Sequence, residues 1–247
     1  ADGGPLPLRH VLTGGTVLSA PVKRALIELI PDVKVVDVLG SSETGRQAVT
    51  SSARAEDARS GSFAAEANTV IVSEDRTRVL GPDDDTIGWL AQRGRVPLGY
   101  LGDRAKSEAT FPTIDGRRMA VAGDRARWRS DGTLELLGRE AVCINTGGEK
   151  VYAEEVEMAI AHHPAIADCL VVGRPHERFG SEVVAVVALR PGAEVDLAAL
   201  RAVAAEHLAG YKLPRDVVVV DTIRRSASGK PDYAWATRAA VAGGPPD

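Results

Sequence analysis

The chain has 247 residues, 44% of them apolar but only 4% aromatic, so its cores are expected to be built from Val, Leu, Ile and Ala. A formal net charge of -4 supplies no basic footprint for nucleic acid. No apolar run reaches the length of a membrane span and no signal peptide opens the sequence.

In chain order, residues 9–13 read as a short strand ending at Gly14-Gly15. Ser19 is placed to cap a helix with Pro21 in its first turn. Val22, Ala25, Leu26, Leu29 and Ile30 then fall on one helical face. Val33–Leu39 is a β-branched run suited to a buried strand, followed by Gly40. Strand, helix, strand and a Gly-containing loop is the order of an open α/β sheet, where ligands sit beyond the strand ends. Residues 53–66 read as a surface loop or short helix, and Thr69–Val72 and Arg78–Leu80 as strands. Asp83-Asp84-Asp85 reads as a solvated acidic turn, because three adjacent carboxylates cannot all point inward. Asp131-Gly132 between Ala126–Arg129 and Thr133–Leu137 is a hairpin signal.

After Gly138-Arg139-Glu140 the pattern restarts as a smaller α+β unit. Ala141–Ile144 is expected as a strand and Glu154–His162 as a helix with Val156, Ala159 and Ile160 inward. Ile166–Val172, Val183–Leu189 and Asp216–Val220 read as strands. Asp196 caps a helix carrying Leu197, Leu200, Ala204 and Leu208, and the Gly- and Pro-rich tail after Val241 is expected to be disordered. Cys143 and Cys169 have neither metal spacing nor a disulfide framework, which suits a reducing, cytoplasmic setting. The chain opens on Ala1 rather than Met, so a processed or truncated N-terminus is expected.

Five segments carry residue types suited to chemistry. Gly40-Ser41-Ser42-Glu43 offers backbone N–H groups and hydroxyls to phosphate oxygens and a carboxylate to Mg²⁺, or it is a Gly-Ser turn with an exposed Glu. Gly14-Gly15 permits close backbone approach to a ligand, or is an ordinary strand-to-helix turn. Asp124 has a carboxylate able to accept from two ribose hydroxyls, and Arg139 follows fifteen residues later across the hairpin; a surface ion pair is the plainer reading. Gly147-Gly148-Glu149 combines small residues with a turn. Lys230, in Ser226-Ala227-Ser228-Gly229-Lys230-Pro231, is a flexible cation on a Gly-containing loop.

The Gly40–Glu43, Asp124, Arg139, Gly147–Glu149 and Lys230 segments, in that order, resemble the adenylate-forming enzymes, and within them the acyl-CoA synthetases, over nearly the whole chain. The resemblance implies that residues 1–138 are the last part of a large AMP-binding domain, a sheet with a small β-barrel region. It implies that 139–247 are a small mobile α+β lid. Ser42 would contact the α-phosphate, Glu43 would lie near Mg²⁺, and Gly14 and Gly15 would lie against adenine. Gly40 and Ser41 complete the phosphate loop, and Asp37 would accept from the adenine amino group or be structural. Asp124 and Arg139 would hold the ribose, with Glu140 as hinge. Gly147, Gly148 and Glu149 would line the pantetheine tunnel during thioester formation. Lys230 would stabilise the adenylation transition state.

Several positions depart from the family pattern. Leu39 stands where an aromatic is usual, and Arg225 and Ala227 replace the common proline and threonine before Gly229-Lys230. The Ser/Thr/Gly-rich loop for the β- and γ-phosphates has no match before residue 40, so the chain alone is expected to be inactive. The run from Pro97-Leu98-Gly99-Tyr100 through Phe111 resembles the fatty acyl and sterol-side-chain branch. The implied substrates are ATP, a small carboxylic acid and coenzyme A, with a homo-oligomer open. Two alternatives stand beside this reading: transfer of the acyl group to a carrier protein, and a non-catalytic fragment that binds nucleotide or a partner chain.

Overall fold

A computed structural model describes residues 7–15 and 18–245. The chain forms two compact units, Ala1–Leu137 and Gly138–Asp247.

Unit one is built on a nine-stranded mixed sheet in the order β1-β2-β3-β4-β11-β10-β7-β5-β6. Its elements are β1 (His10–Gly14), α1 (Ala20–Leu29), β2 (Lys34–Ser41), β3 (Gly45–Ser52), β4 (Ser62–Ala65), β5 (Thr69–Val72), β6 (Val79–Leu80) and β7 (Gly88–Gln92). They are followed by α2 (Arg104–Thr110), β8 (Thr113–Ile114), β9 (Arg117–Arg118), β10 (Ala120–Trp128) and β11 (Leu134–Arg139), whose last two residues fall past the unit boundary. β1 and β2 are parallel and joined through α1, the expected α/β opening. From β2 onward the described pairings of this sheet are antiparallel. The strand order has two free ends, β1 and β6, so the expected β-barrel region does not close on itself among the described residues.

Residues 53–66, expected as a loop or short helix, form a 3-10 turn at Ala55–Asp57 and then β4. The apolar face of α1 is only partly its buried face. The helix buries Ala20 and Lys23, and Ile30 at its end is buried, while Val22 and Leu29 are exposed, Leu29 at 74%. Lys23 takes the inward place because its ammonium pairs with Asp37 and donates to Arg59 O, which satisfies a charge that burial would otherwise penalise. Ser19 precedes the helix without a side-chain cap. The Asp131-Gly132 hairpin joins β10 to β11 as expected, with Gly132 at φ 79°. Asp84, from the acidic run, accepts from Gly81 N at 2.8 Å and pairs with Arg78, and among the described residues no cluster of three or more His, Cys, Asp or Glu could hold a metal ion.

Unit two has a β-hairpin, β12 (Cys143–Thr146) with β13 (Glu149–Tyr152), preceded by a 3-10 turn at Glu140–Val142 where a strand was expected. It continues with α3 (Ala153–Ile160), β14 (Ile166–His176), β15 (Gly180–Leu189), α4 (Leu197–Ala205), β16 (Asp216–Val220) and α5 (Tyr233–Ala242). β15 lies between β14 and β16. Both faces of this sheet are covered. Cys169, Val171, Val183, Ala185 and Val187 pack toward α3 and α4, while Leu170, Val172, Val184 and Val186 pack toward α5. Burial on both sides explains the nearly continuous apolar runs.

Asp196 caps α4 by accepting from Ala199 N at 2.7 Å. α5 was not foreseen. Asp232 caps it by accepting from Trp235 N at 2.9 Å, and Gly243 ends it in the left-handed region at φ 70°. α5 therefore continues past Val241, where the expected tail would start, and the last two residues of that stretch lie outside the described ones. No helix among the described residues is long and apolar enough to cross a membrane.

Candidate functional site

In unit one Gly40, Ser41, Ser42 and Glu43 form the tip of the β2–β3 hairpin. The register shifts after Leu39, so that Gly40 faces Arg46 and Ser41 faces Gly45. A Cβ at Gly40 would run into Gly45 O, so the tight return needs glycine. The turn holds itself. Ser41 Oγ accepts from Glu43 N at 3.2 Å and Thr44 N at 3.3 Å, and Thr44 Oγ1 accepts from Ser41 N at 3.0 Å. Ser41 is thereby occupied inside the turn. Ser42 at the apex is exposed, and its hydroxyl has no hydrogen bond among the described residues.

Glu43 is fixed from the other end of the unit. Tyr100 Oη donates to Glu43 Oε1 at 2.7 Å. The ring of Tyr100 lies under the Lys106 ammonium at 4.2 Å, and Tyr100 N donates to Ser107 Oγ at 2.8 Å. The Tyr100 hydroxyl is the main reason the Glu43 carboxyl is held below its ordinary range; partial burial opposes this, while Ser41 and Lys106 add to it. One ionised, oriented carboxylate with open surroundings suits Mg²⁺, which keeps most of its water. Glu43 therefore fits the ion that the resemblance implies.

Gly14 pairs with Val38 and Thr13 with Asp37 across β1 and β2. A Cβ at Gly14 would stand 3.1 Å from Val38 O, whereas Gly15, at φ 80°, faces open space. Asp37 is buried, accepts from Thr13 Oγ1 and pairs with Lys23, so both of its carboxylate oxygens are engaged in holding β1, β2 and α1 together.

Asp124 is buried in β10, within the stretch where the register with β7 breaks between Val121 and Arg125. Gly123, at φ 100°, makes that irregularity possible. Next to it Arg125 is buried, pairs with Glu74 and lies 4.2 Å from the Trp89 ring centroid, which Arg76 also approaches to 4.3 Å.

In unit two, Arg139 is exposed and its backbone N donates to Glu154 Oε1 at 3.3 Å. A Cβ on Gly138 would collide with the same carboxylate. Glu140 accepts from Lys150 Nζ at 2.7 Å, tying the start of the unit to β13. Gly147 and Gly148, with φ of 60° and 89°, make the two-residue turn of the β12–β13 hairpin, which requires positive φ at both positions. The turn and Glu149 are exposed, and Gly147 N donates to Phe179 O at 2.9 Å.

Lys230 lies on the connection between β16 and α5. The loop closes on itself through Ser226 N to Lys230 O (2.9 Å), Gly229 N to Ser226 O (2.9 Å) and Lys230 N to Ser226 Oγ (3.1 Å). Gly229 takes the left-handed turn at φ 78°. The Lys230 ammonium is exposed and has no ion pair or hydrogen bond among the described residues. It is a free cation on a closed loop.

The structure thus places Gly14, Asp37, Gly40, Ser41, Ser42 and Glu43 on two adjacent strands and one hairpin. Gly147–Glu149 and Lys230 sit on separate elements of unit two. Sequence reasoning missed Tyr100 as the partner of Glu43, although Pro97-Leu98-Gly99-Tyr100 had been singled out. Nothing in the sequence links residues 57 positions apart.

Residues 155–230 match the AMP-binding enzyme C-terminal domain. The chain is 55% identical, over 96% of its length, to the medium-chain acyl-CoA ligase Mig of Mycobacterium avium, of which it covers 43%. It is 44% identical, over 91% of its length, to a 3-oxocholest-4-en-26-oate–CoA ligase of Rhodococcus rhodochrous, of which it covers 40%. The solved structure of the anthranilate CoA ligase AuaEII with anthranoyl-AMP superposes with a TM-score of 0.79 at 25% identity, over 95% of this chain and 45% of that one. ATP-bound MatB from Rhodopseudomonas palustris superposes with a TM-score of 0.75 at 27% identity, over 92% of this chain and 44% of that one. The fold is that of adenylate-forming enzymes. The chain is similar over nearly its whole length to acyl-CoA ligases of the AMP-binding superfamily, and it spans about two fifths of the length of these curated relatives.

Proposed function

We propose that this chain is the nucleotide- and thiol-facing part of an acyl-CoA synthetase. The complete protein would join a carboxylic acid to AMP from ATP, releasing pyrophosphate, and then pass the acyl group to the thiol of coenzyme A. The observation that carries the proposal is the pairing of two exposed devices in one small unit: the unpartnered Lys230 ammonium on its closed loop and the side-chain-free Gly147-Gly148 turn. A cation is what adenylation needs, because a carboxylate must approach an anionic α-phosphate and charge builds on the leaving pyrophosphate. A turn without side chains is what a narrow thiol passage needs.

In unit one, Ser42 offers its free hydroxyl to the α-phosphate. Glu43, oriented by Tyr100, would hold a Mg²⁺ ion that neutralises phosphate charge. Asp124 and Arg139 would take the ribose hydroxyls, with Glu140 as the hinge and Gly14 and Gly15 beside adenine. Asp37 is assigned to the support of β2 rather than to adenine, because Lys23 and Thr13 occupy it. The names of the relatives support fatty or sterol-derived acids as substrates and a place in lipid metabolism.

The test runs the two half-reactions separately on the complete enzyme. Lys230→Ala should slow acyl-AMP formation by about 10²–10³-fold, as loss of one preorganised electrostatic donor does. It should leave thioester formation from supplied acyl-AMP near its normal rate. Gly148→Trp should do the reverse. Equal loss of both steps in Lys230→Ala would rule out this division of labour.

A further inference from the structure

The root of the Lys230 loop is anchored by a contact to which neither the fold nor the proposed chemistry yet gives a role. Arg225, five residues before Lys230, forks onto Asp168 of β14: Nε reaches Oδ2 at 2.9 Å and Nη2 reaches Oδ1 at 2.8 Å. Its remaining terminal nitrogen, Nη1, donates to Gly229 O at 3.2 Å, the carbonyl directly before the lysine. Arg225 also pairs through its backbone with Pro231, the residue directly after it. One guanidinium therefore holds both strands of the loop and ties them to the central sheet of the unit.

On the far side the chain is fixed again. Asp232 N donates to Arg224 O at 3.1 Å, and the Asp232 side chain caps α5. Between these two anchors the loop keeps a single free group, the Lys230 side chain.

From this geometry we propose that Arg225 is a positioning residue for Lys230, a role that rests on the reading of Lys230 given above. The planar fork matters here. Two parallel N–H···O bonds fix direction as well as distance, and the third donor passes that direction to the Gly229 carbonyl. A single point charge on a flexible stem cannot make all three contacts at once. With the fork intact, Lys230 moves as a side chain on a fixed root. With the fork lost, the whole 226–230 loop moves and the ammonium samples positions away from the reacting phosphate. Displacements of this kind cost rate in the step that uses the group, and leave binding of the other substrates alone.

The experiment is a double-mutant cycle in the complete enzyme, reading acyl-AMP formation and thioester formation from supplied acyl-AMP. Arg225→Gln is expected to lower kcat of acyl-AMP formation by about 10- to 100-fold. KM for ATP and the thioester step should stay within about twofold, the second of these showing that the unit is folded. Asp168→Asn, which keeps the arginine and breaks the charge of the fork, should show the same pattern more weakly. Arg225→Lys should not restore the rate, since it cannot fork.

The deciding arm adds Arg225→Gln to Lys230→Ala. Because Arg225 acts through the lysine, the second change should cost nothing further. An equal additional loss in the Lys230→Ala background would overturn the proposal, as would parallel loss of both half-reactions in Arg225→Gln and Asp168→Asn. If Lys230→Ala itself spares acyl-AMP formation, the functional reading fails. If it is costly while Arg225→Gln is not, only the positioning role fails.

Discussion

Glu157 gives a test of the fold that is independent of catalysis. It lies on α3, and its carboxyl turns into the protein. One oxygen accepts from Val171 N at 2.8 Å and the other from Tyr233 Oη at 3.3 Å. Burial of the carboxyl pushes its pKa up from 4.5 to about 8; the Val171 amide, Tyr233 and Arg225 oppose this, and the neighbouring Glu154 adds to it. Asp168 and Cys169 complete the titratable groups around this cluster.

The folded chain therefore keeps a proton that the unfolded chain has released at neutral pH. The unfolded state binds fewer protons over this window, so stability falls as pH rises. The contribution is fully present below pH 4.5 and is lost as the pH rises through about 8. At about 1.4 kcal/mol per pH unit the whole window amounts to at most about 5 kcal/mol. The residue as a whole is only partly buried, so the expected loss between pH 5 and 8 is about 1–3 kcal/mol.

Glu157→Gln removes the titration and keeps the shape. Its amide oxygen still accepts from Val171 N and its amide nitrogen donates to Tyr233. The variant should match the parent near pH 5 and exceed it at pH 8 by that same amount. Hydrogen exchange of β14 and β15, read by mass spectrometry on the intact 247-residue chain at several pH values and corrected for intrinsic rates, gives the opening free energy of unit two. Identical pH slopes in parent and variant, or a variant weaker at pH 8, would refute the reasoning.

Further outcomes can be checked alongside. Asp124→Ala in the complete enzyme should raise KM for ATP by about 10- to 150-fold, as expected for a lost ribose contact (about 1.5–3 kcal/mol for hydrogen bonds to a charged group), and unchanged ATP dependence would remove the residue from the site. Tyr100→Phe should raise the Glu43 titration midpoint, followed by carboxyl NMR, because its largest stabilising donor is gone; in the complete enzyme it should raise the Mg²⁺ needed for half-maximal adenylation by about 3- to 10-fold. The isolated chain should catalyse no ATP–pyrophosphate exchange. It should also bind an apolar dye through unit one, where Leu12, Leu29, Leu98 and Leu101 are exposed, Leu98 at 96%. Robust exchange activity or a dye-silent chain would contradict this.

The sequence by itself determined the segments whose signal is local. The β2 run, the Asp131-Gly132 hairpin, the Asp196 cap and the apolar strands of unit two are each set by residues within a few positions of one another. So is the order of the glycine, acidic and lysine segments that carries the family resemblance. Elements with weak local signals were decided by packing. β3 reads as a polar stretch, Gly45–Ser52, yet pairs along β2. β7 is buried at all five positions, although Gly88 opens it. α5 is apolar largely through alanines and forms because Trp235, Ala236, Ala239 and Ala240 close one face of the β14–β16 sheet.

Only the tertiary structure could turn α1 so that Lys23 faces inward. A buried lysine is stable solely because Asp37 and Arg59 O, 14 and 36 residues away, meet its charge. The same holds at the site. Glu43 and Lys230 were legible as residue types in motifs, but the partners that orient them, Tyr100 for one and Arg225 with Asp168 for the other, are set by strand pairing and loop closure. Hydrogen bonds across 57 residues leave no period or spacing in a single sequence.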